Sequence, residues 1–376
     1  MRLSQRIEAV APSRTVQFTR LLHDDPAKAL SVINFAVGEP HTGTPQPVIA
    51  ATKQALDKGK TRYGPVRGLK SLRTLISEQF DGYREENIIV ANGSKQLLYG
   101  IMQVICDPLD EVIIPRPFWV SFSEQVKLAS AVPIYVDTVD HQLDLTAISN
   151  AMTNRTRAII INSPNNPTGA VYSQEDLRQV ADIAISKDLT IISDEAYHDF
   201  MYENEAHKGF GSMADIRDRL VVVRSFSKTF DMTGFRVGYM AAPQKVITAM
   251  SRLQSHLSGN VCTFSQEGAL AALSLSPSLI KEKQRQFQKK RDMAFDLARE
   301  LFDCIKPMGA FYLFPNIGRH LSAGQTSEGF AARLLEKGGV AVVPGSAFGM
   351  EGHIRISYAV SDKHLAEGFE RIAGVL

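Results

Sequence analysis

The stretch Ser225-Phe226-Ser227-Lys228-Thr229-Phe230-Asp231-Met232-Thr233-Gly234-Phe235-Arg236-Val237-Gly238 gathers the residues best equipped for chemistry. A lysine leaves an apolar run between hydroxyl-bearing neighbours, and Arg236 follows within the same stretch. Hydroxyls plus an arginine make a phosphate cradle, and a lysine beside them can form an imine with an aldehyde. A strand-end turn with solvated charges is the plainer reading of the same residues. Asp194 also follows an apolar run, where an unpaired carboxylate would be costly. A cation such as a protonated pyridine nitrogen would answer that cost; so would a helix N-cap or an internal salt bridge. Tyr197 falls on the same side as Asp194 if a helical turn begins here, either as a hydrogen-bonding group or as a packed aromatic. In Ser163-Pro164-Asn165-Asn166-Pro167-Thr168-Gly169, Asn166 reads first as a turn residue and second as a rigidly held amide donor. Gly93-Ser94, ahead of a helix, offers backbone N–H groups and positive dipole to an anion. Trp119, the only tryptophan, is either core or a stacking platform.

Five short apolar runs supply the scaffold, at residues 87–91, 111–115, 157–162, 189–193 and 220–224. Each is rich in β-branched residues and nearly continuous, the pattern of strands covered on both faces. Segments with helical spacing, such as 94–105 and 174–186, lie between them. Strand–helix alternation of this kind argues an α/β fold with a parallel sheet wrapped by helices. Ligands of such sheets collect outside the carboxyl ends of the strands. All five groups of polar, aromatic and glycine residues described above fall at that one end. Beyond about residue 275 the pattern changes to a long charged helix at 280–302, GAFYLFPNI at 309–317, and apolar strands at 340–343 and 354–357. This predicts a large domain over 40–274 and a smaller α+β domain made from 1–39 and 275–376.

Length and composition agree with two domains. The chain has 376 residues, 44% hydrophobic and 22% charged, an ordinary globular balance. A net charge of +2 is too small for a nucleic-acid or membrane footprint. Cys106, Cys262 and Cys304 are odd in number and far apart, which excludes a disulfide framework or a CxxC metal site. The scattered histidines likewise show no paired ligand spacing, so no metal is expected; His198 beside Tyr197 reads as a hydrogen-bonded structural residue. The start lacks the apolar core of a secretory signal, and the longest apolar stretch, 268–275, falls well short of the ~18 residues needed to span a bilayer. A cytoplasmic protein is expected. Gly209-Phe210-Gly211-Ser212-Met213-Ala214 formally matches a dinucleotide-binding GxGxxA, but charged residues precede it where a strand is required.

Taken together, SPNNPTG, SDEAY and SFSK…GFRVGY resemble the fold-type I pyridoxal-phosphate (PLP) enzymes, specifically the class I/II aminotransferases of the bacterial aspartate/prephenate group. The similarity runs from PSRTV at 12–16 and AVGEP at 36–40 to HIRISYA at 353–359. It implies a large domain with a mostly parallel seven-stranded sheet between helices, a small α+β domain, and PLP as cofactor. Lys228 would carry PLP as an imine (the internal aldimine), with Asp194 on the pyridine nitrogen and Tyr197 and Asn166 on the phenolic oxygen. Trp119 would stack on the ring. Gly93, Ser94, Ser225, Ser227 and Arg236 would hold the phosphate, and Tyr63 would reach the phosphate of a neighbouring subunit's cofactor, making a homodimer the active unit. Arg355 would clamp the substrate α-carboxylate bidentately, assisted by Trp119, Asn166 and the backbone at Gly38. The implied reaction is ping-pong transfer of an amino group between an L-amino acid and a 2-oxo acid.

The chain departs from the family's pattern at His41-Thr42-Gly43-Thr44-Pro45, in a shorter segment around 80–86, and at Arg67, where relatives carry a small residue. Lys95, grouped with the cofactor-binding residues, is similar to one that recognises a distal carboxylate in relatives; a solvated first-turn lysine is the alternative. Lys95, with Arg67 or Arg14, is expected to favour acidic amino donors. A carbon–sulfur β-lyase sharing the same imine chemistry is the competing activity, and a PLP-sensing regulatory protein ranks behind both.

Overall fold

The computed structural model describes residues 2–12, 32–203 and 208–376. After β1 (Ile33–Asn34) the chain lays down seven strands of one sheet. They are β2 (Ile88–Ala91), β3 (Glu111–Arg116), β4 (Val132–Asp137), β5 (Thr156–Asn162), β6 (Thr190–Asp194), β7 (Leu220–Ser225) and β8 (Gly238–Ala241). Their spatial order is β2-β8-β7-β6-β5-β3-β4, and all pairings are parallel except those of β8. Successive residues of each central strand enter different cores. In β5, Ile159 and Ile161 join the core of Leu72, Leu177 and Phe226 on one face, and Ala158 and Ile160 join that of Leu97, Ile101 and Met250 on the other. Burial on both faces is why these strands read as continuous apolar runs.

Two strands escaped the five runs. β4 lies at the sheet edge with Val132 and Tyr135 each 37% exposed, so its mixed sequence reflects one covered side. β8 is only four residues long and begins with glycine. An added Cβ at Gly238 would meet the backbone nitrogen of Ser94 at 2.5 Å, so this glycine lets β8 approach the helix that follows β2.

The helices expected at Ser94–Ile105 and Gln174–Ser186 form over those residues. Ser173 caps the second by accepting from the Asp176 N–H, satisfying one of its free donors. The long charged segment forms the helix Pro277–Leu301, with Ser276 as cap and Pro277 in the first turn. Beside it β1 pairs parallel with β10 (Val340–Ala341), and β11 (Val343–Pro344), β12 (Ile354–Ser357) and β9 (Tyr312–Leu313) make an antiparallel sheet. Ile33 and Phe35 share a core with Phe287, Phe330, Ile356 and Phe369, so the segment around β1 packs with the C-terminal part of the chain. Gly209 to Met213 makes turns before a single 3-10 turn at Ala214–Ile216, which is not the strand–helix junction a dinucleotide site needs. Among the described residues no helix is long and apolar enough to cross a membrane, and no group of three or more His, Cys, Asp or Glu is placed to hold a metal.

Candidate active site

The carboxyl ends of the parallel strands open into a cavity of about 290 Å³, lined among others by Gly38, Ser94, Lys95, Trp119, Asn166, Asp194, Tyr197, Ser225, Ser227, Lys228, Arg236 and Arg355. Because β8 runs the other way, its amino end lies here: Gly238 pairs with Ala91 of β2 and Ser225 of β7. That register delivers Arg236, two residues upstream, beside Ser94 and Ser225. Gly93 has φ +82°, a conformation that favours glycine, and a Cβ there would meet Arg236 Nη2 at 2.5 Å, so a side chain would displace the guanidinium. Ser94, Arg236, Ser225 and Ser227 thus come from three neighbouring strands, while Asp194 ends the next strand and Asn166 follows the one beyond.

Lys228 sits in the short helix Phe226–Thr229, whose cap Ser225 accepts from the Ser227 N–H at 3.1 Å. Its Nζ donates to the Gly38 carbonyl at 2.5 Å. Burial, with Arg236, Arg355 and Lys95 nearby, pulls the Lys228 pKa down to about 8, against a raising influence from Glu39. An amine so shifted is neutral, and nucleophilic, far more often than an ordinary lysine. Asp194 is buried, and among the described residues its carboxylate accepts one hydrogen bond, from the Ala196 N–H at 3.1 Å. Burial raises its pKa to about 7, with a smaller raising contribution from Glu195. Glu195 itself points elsewhere, paired with Arg224 at 2.8 Å.

Arg355, 3% exposed on β12, donates from Nη1 to Asn166 Oδ1 at 3.0 Å and from Nη2 to the Ala36 carbonyl at 2.7 Å. Its buried Nε has no hydrogen-bond partner among the described residues. The guanidinium lies 4.4 Å from the Tyr312 ring centroid and 5.2 Å from that of Phe348. Because Asn166 Oδ1 serves Arg355, its amide nitrogen remains a donor for the cavity. The Asn166 backbone N–H is held by Asn162 Oδ1 at 2.9 Å. Tyr197 and Tyr312 share a hydroxyl–hydroxyl hydrogen bond of 2.8 Å, and burial raises both phenols' pKa values. Trp119 packs edge-on against Phe122 with its ring 4.9 Å from Lys95 Nζ. Lys95 has no hydrogen-bond or ion-pair partner for its ammonium among the described residues, and burial together with Arg236 lowers its pKa.

Asn162 and Tyr312 line the cavity too without having been singled out in the sequence. Asn162 ends the β5 run and could have been noticed as a polar residue closing an apolar strand; Tyr312, in GAFYLFPNI, carries no local signal. Tyr63 stands away from the cavity of its own chain and is 99% exposed. Arg67 is likewise outside the cavity, donating to Thr248 Oγ1 at 3.2 Å, and Arg14 lies outside the described residues. His198 is structural in its contacts, with Nδ1 2.9 Å from the Glu195 carbonyl and Nε2 3.1 Å from Asp199.

These residues fit pyridoxal phosphate. A buried carboxylate short of partners suits a protonated pyridine nitrogen. A helix N-terminus with hydroxyls and an arginine suits a phosphate, and a partly neutral amine between them suits an aldehyde.

Comparison with known proteins agrees. Residues 31–372 match the family model for aminotransferase class I and II. The chain is 38% identical over 385 residues to the aspartate aminotransferase of Bacillus subtilis, covering 99% of this chain and 98% of that protein. It is also 38% identical over 387 residues to a probable aspartate/prephenate aminotransferase of Aquifex aeolicus, covering 100% and 98%. The structure of Thermus thermophilus aspartate aminotransferase with maleate superimposes with a TM-score of 0.95 at 35% identity, covering both chains completely. Fold, cavity and likeness converge: this chain belongs to the class I and II aminotransferases and is a PLP-dependent enzyme that moves amino groups between amino acids and 2-oxo acids.

Proposed function

We propose that the preferred substrates are acidic, aspartate or glutamate with the matching 2-oxo acids, and that the site residues act as follows. PLP supplies an aldehyde to take up the amino group and a ring to absorb the electron pair left at Cα. The Lys228 amine takes the Cα proton and returns it one bond-shift away, work suited to a base whose pKa lies near neutrality. Asp194 holds the ring nitrogen's proton. Tyr197 and the Asn166 amide donate to the phenolic oxygen, Trp119 covers the ring, and Gly93, Ser94, Ser225, Ser227 and Arg236 bind the phosphate. Arg355 grips the α-carboxylate, its Nε–H donating one of the two hydrogen bonds of a bidentate pair; the Gly38 backbone and Asn166 complete that pocket.

The observation that carries the acidic preference is Lys95. Its ammonium stands unpaired at the wall of the cavity, and a distal carboxylate would satisfy it. The relatives named above include aspartate aminotransferases, one of them solved with a dicarboxylate, maleate. A panel of amino acids and 2-oxo acids tests the whole reading. Aspartate or glutamate should convert the bound cofactor to its pyridoxamine absorbance, and a cysteine conjugate should release no pyruvate and ammonia. Lys95→Leu should lower kcat/KM for aspartate and glutamate about tenfold, the scale of one partly screened ion pair. Alanine, lacking the distal carboxylate, should be unaffected. Equal kcat/KM for aspartate before and after the substitution removes Lys95 from the reading.

We further propose a cytoplasmic homodimer, divided within each subunit into 40–274 and 1–39 with 275–376. An almost fully exposed Tyr63 ring is free to reach a partner subunit's cavity, as the family resemblance implies. Sedimentation at the mass of one 41.5 kDa chain, with full activity retained, would remove the dimer.

A further inference from the structure

Lys228 sits in a helix only four residues long, which satisfies few of its own carbonyls. A lysine from another part of the chain supplies the missing donors. Lys283, on the long helix Pro277–Leu301, directs Nζ to the carbonyl of Lys228 at 3.0 Å, to that of Thr229 at 3.0 Å, and to Asp231 Oδ1 at 2.7 Å. The side chains of Lys283 and Asp231 are 16% and 7% exposed, so water competes little for these contacts. Asp231 has φ +51°. Its other carboxylate oxygen accepts from Thr42 Oγ1 at 2.7 Å, and its carbonyl accepts from Thr44 Oγ1 at 2.5 Å. Thr42 and Thr44 lie just beyond Gly38, whose carbonyl receives the Lys228 amine. A closed circuit results, from the Lys228 backbone through Lys283 and Asp231 to the 38–44 segment and back to the Lys228 amine. Both ends of the lysine are thereby referred to one ammonium on a distant helix.

We propose that Lys283 is a positioning residue for Lys228, fixing both its backbone and its amine through Asp231 and the 38–44 segment. No part of Lys283 lines the cavity, so it acts on the reaction through the groups it holds and not by touching substrate or cofactor. The inference rests on the reading that Lys228 carries the cofactor. Without Lys283 the short helix loses its carbonyl donors, Asp231 loses its cation, and the Gly38 carbonyl is no longer held where the amine finds it. Small misplacement of a reacting amine has large effects on rate.

The test uses apoprotein of the wild type, Lys283→Met, Lys283→Gln and Lys283→Arg. Borohydride trapping and peptide mass mapping first locate the modified residue after addition of pyridoxal phosphate. Capture on a residue other than Lys228 in the wild type would sink the parent reading; the remaining measurements concern Lys283 alone. In Lys283→Met, the rate of covalent capture should fall about tenfold or more. The pH midpoint of the bound cofactor's absorbance should move by about half a pH unit or more. Affinity for pyridoxamine phosphate, which needs no lysine bond, should fall by a clearly smaller factor than the capture rate does. Lys283→Arg should recover much of the capture rate, since it keeps charge and donors. If Lys283→Met does not accumulate in folded form, Lys283→Gln, which keeps a donor but no charge, is held to the same numbers. An unchanged capture rate and absorbance midpoint in whichever folded variant is measured would overturn the proposal, leaving Lys283 a structural strut only.

Discussion

Lys228→Ala is expected to lower kcat on the order of 10⁴-fold, the upper end of what one positioned proton carrier supplies. The loss should lie in kcat, with KM for the amino donor little changed, because an interaction used only in the transition state leaves ground-state binding alone. Cofactor should still bind, through Ser94, Ser225, Ser227 and Arg236, but borohydride should no longer fix it to the chain. Retention of more than about a hundredth of the wild-type kcat would place the proton carrier elsewhere, since a general base contributes at least that much. The wild-type lysine carries a matching pH signature. Its pKa is lowered to about 8, so its amine is protonated and unreactive below that pH and free above it. The rate at which apoprotein captures pyridoxal phosphate should climb with pH, pass half its maximum near 8 and level off above that. An ordinary lysine, with a pKa of about 10.4, would still be climbing there.

The second large effect concerns Arg355. Lys at this position cannot present two parallel N–H groups, nor lie flat near the rings of Tyr312 and Phe348. Truncating one partner of a buried charged pair costs about 3–5 kcal/mol, or roughly 10²- to 10⁴-fold; Lys keeps the charge, so kcat/KM for every α-amino acid should fall toward the smaller end, about 10²- to 10³-fold, in Arg355→Lys. The breadth of the loss distinguishes it from that of Lys95→Leu, which should touch acidic substrates alone. Asn166 should feel the same change, because Arg355 Nη1 holds its Oδ1 and so keeps its amide nitrogen turned to the cavity. Slower kcat in addition to a raised KM would report that second consequence. A kcat/KM for alanine within about twofold of the wild type would argue that the α-carboxylate is bound elsewhere, because a buried pair cannot be broken so cheaply.

Why these residues were legible in the sequence follows from their placement. Lys228, Asp194 and Gly93-Ser94 each stand directly after a β-branched run, and the burial of those runs is a local property of residue type. Strand twist and parallel pairing then send every carboxyl end to one edge, where the chemistry collects. Arg236 was legible only as a neighbour of Lys228 in sequence. Its actual approach to Ser94 depends on β8 running antiparallel between β2 and β7, which four residues beginning in glycine do not announce. The edge strand β4 was missed for the complementary reason, since partial exposure removes the continuous apolar signature.

The expectation for Arg67 illustrates the limit from the other side. Its departure from the family's small residue drew it toward the substrate, yet the folded chain turns it to Thr248. Proximity in sequence to a motif does not set a side chain's direction; the packing of the helix Gln244–Leu257 does. Tyr312 and Lys283 make the same point at longer range. Tyr312 meets Tyr197 across 115 positions and Lys283 meets Lys228 across 55.

The linear chain therefore determined the parallel sheet, the edge where ligands gather, and the identities of the amine, carboxylate and guanidinium groups, because burial and strand-end position are written in short runs of residue types. Which donors and rings surround those groups was decided only in three dimensions. Contacts such as Lys283 to Lys228 and Arg355 to Asn166 form only when packed cores have closed the intervening loops, and no local pattern encodes their partners.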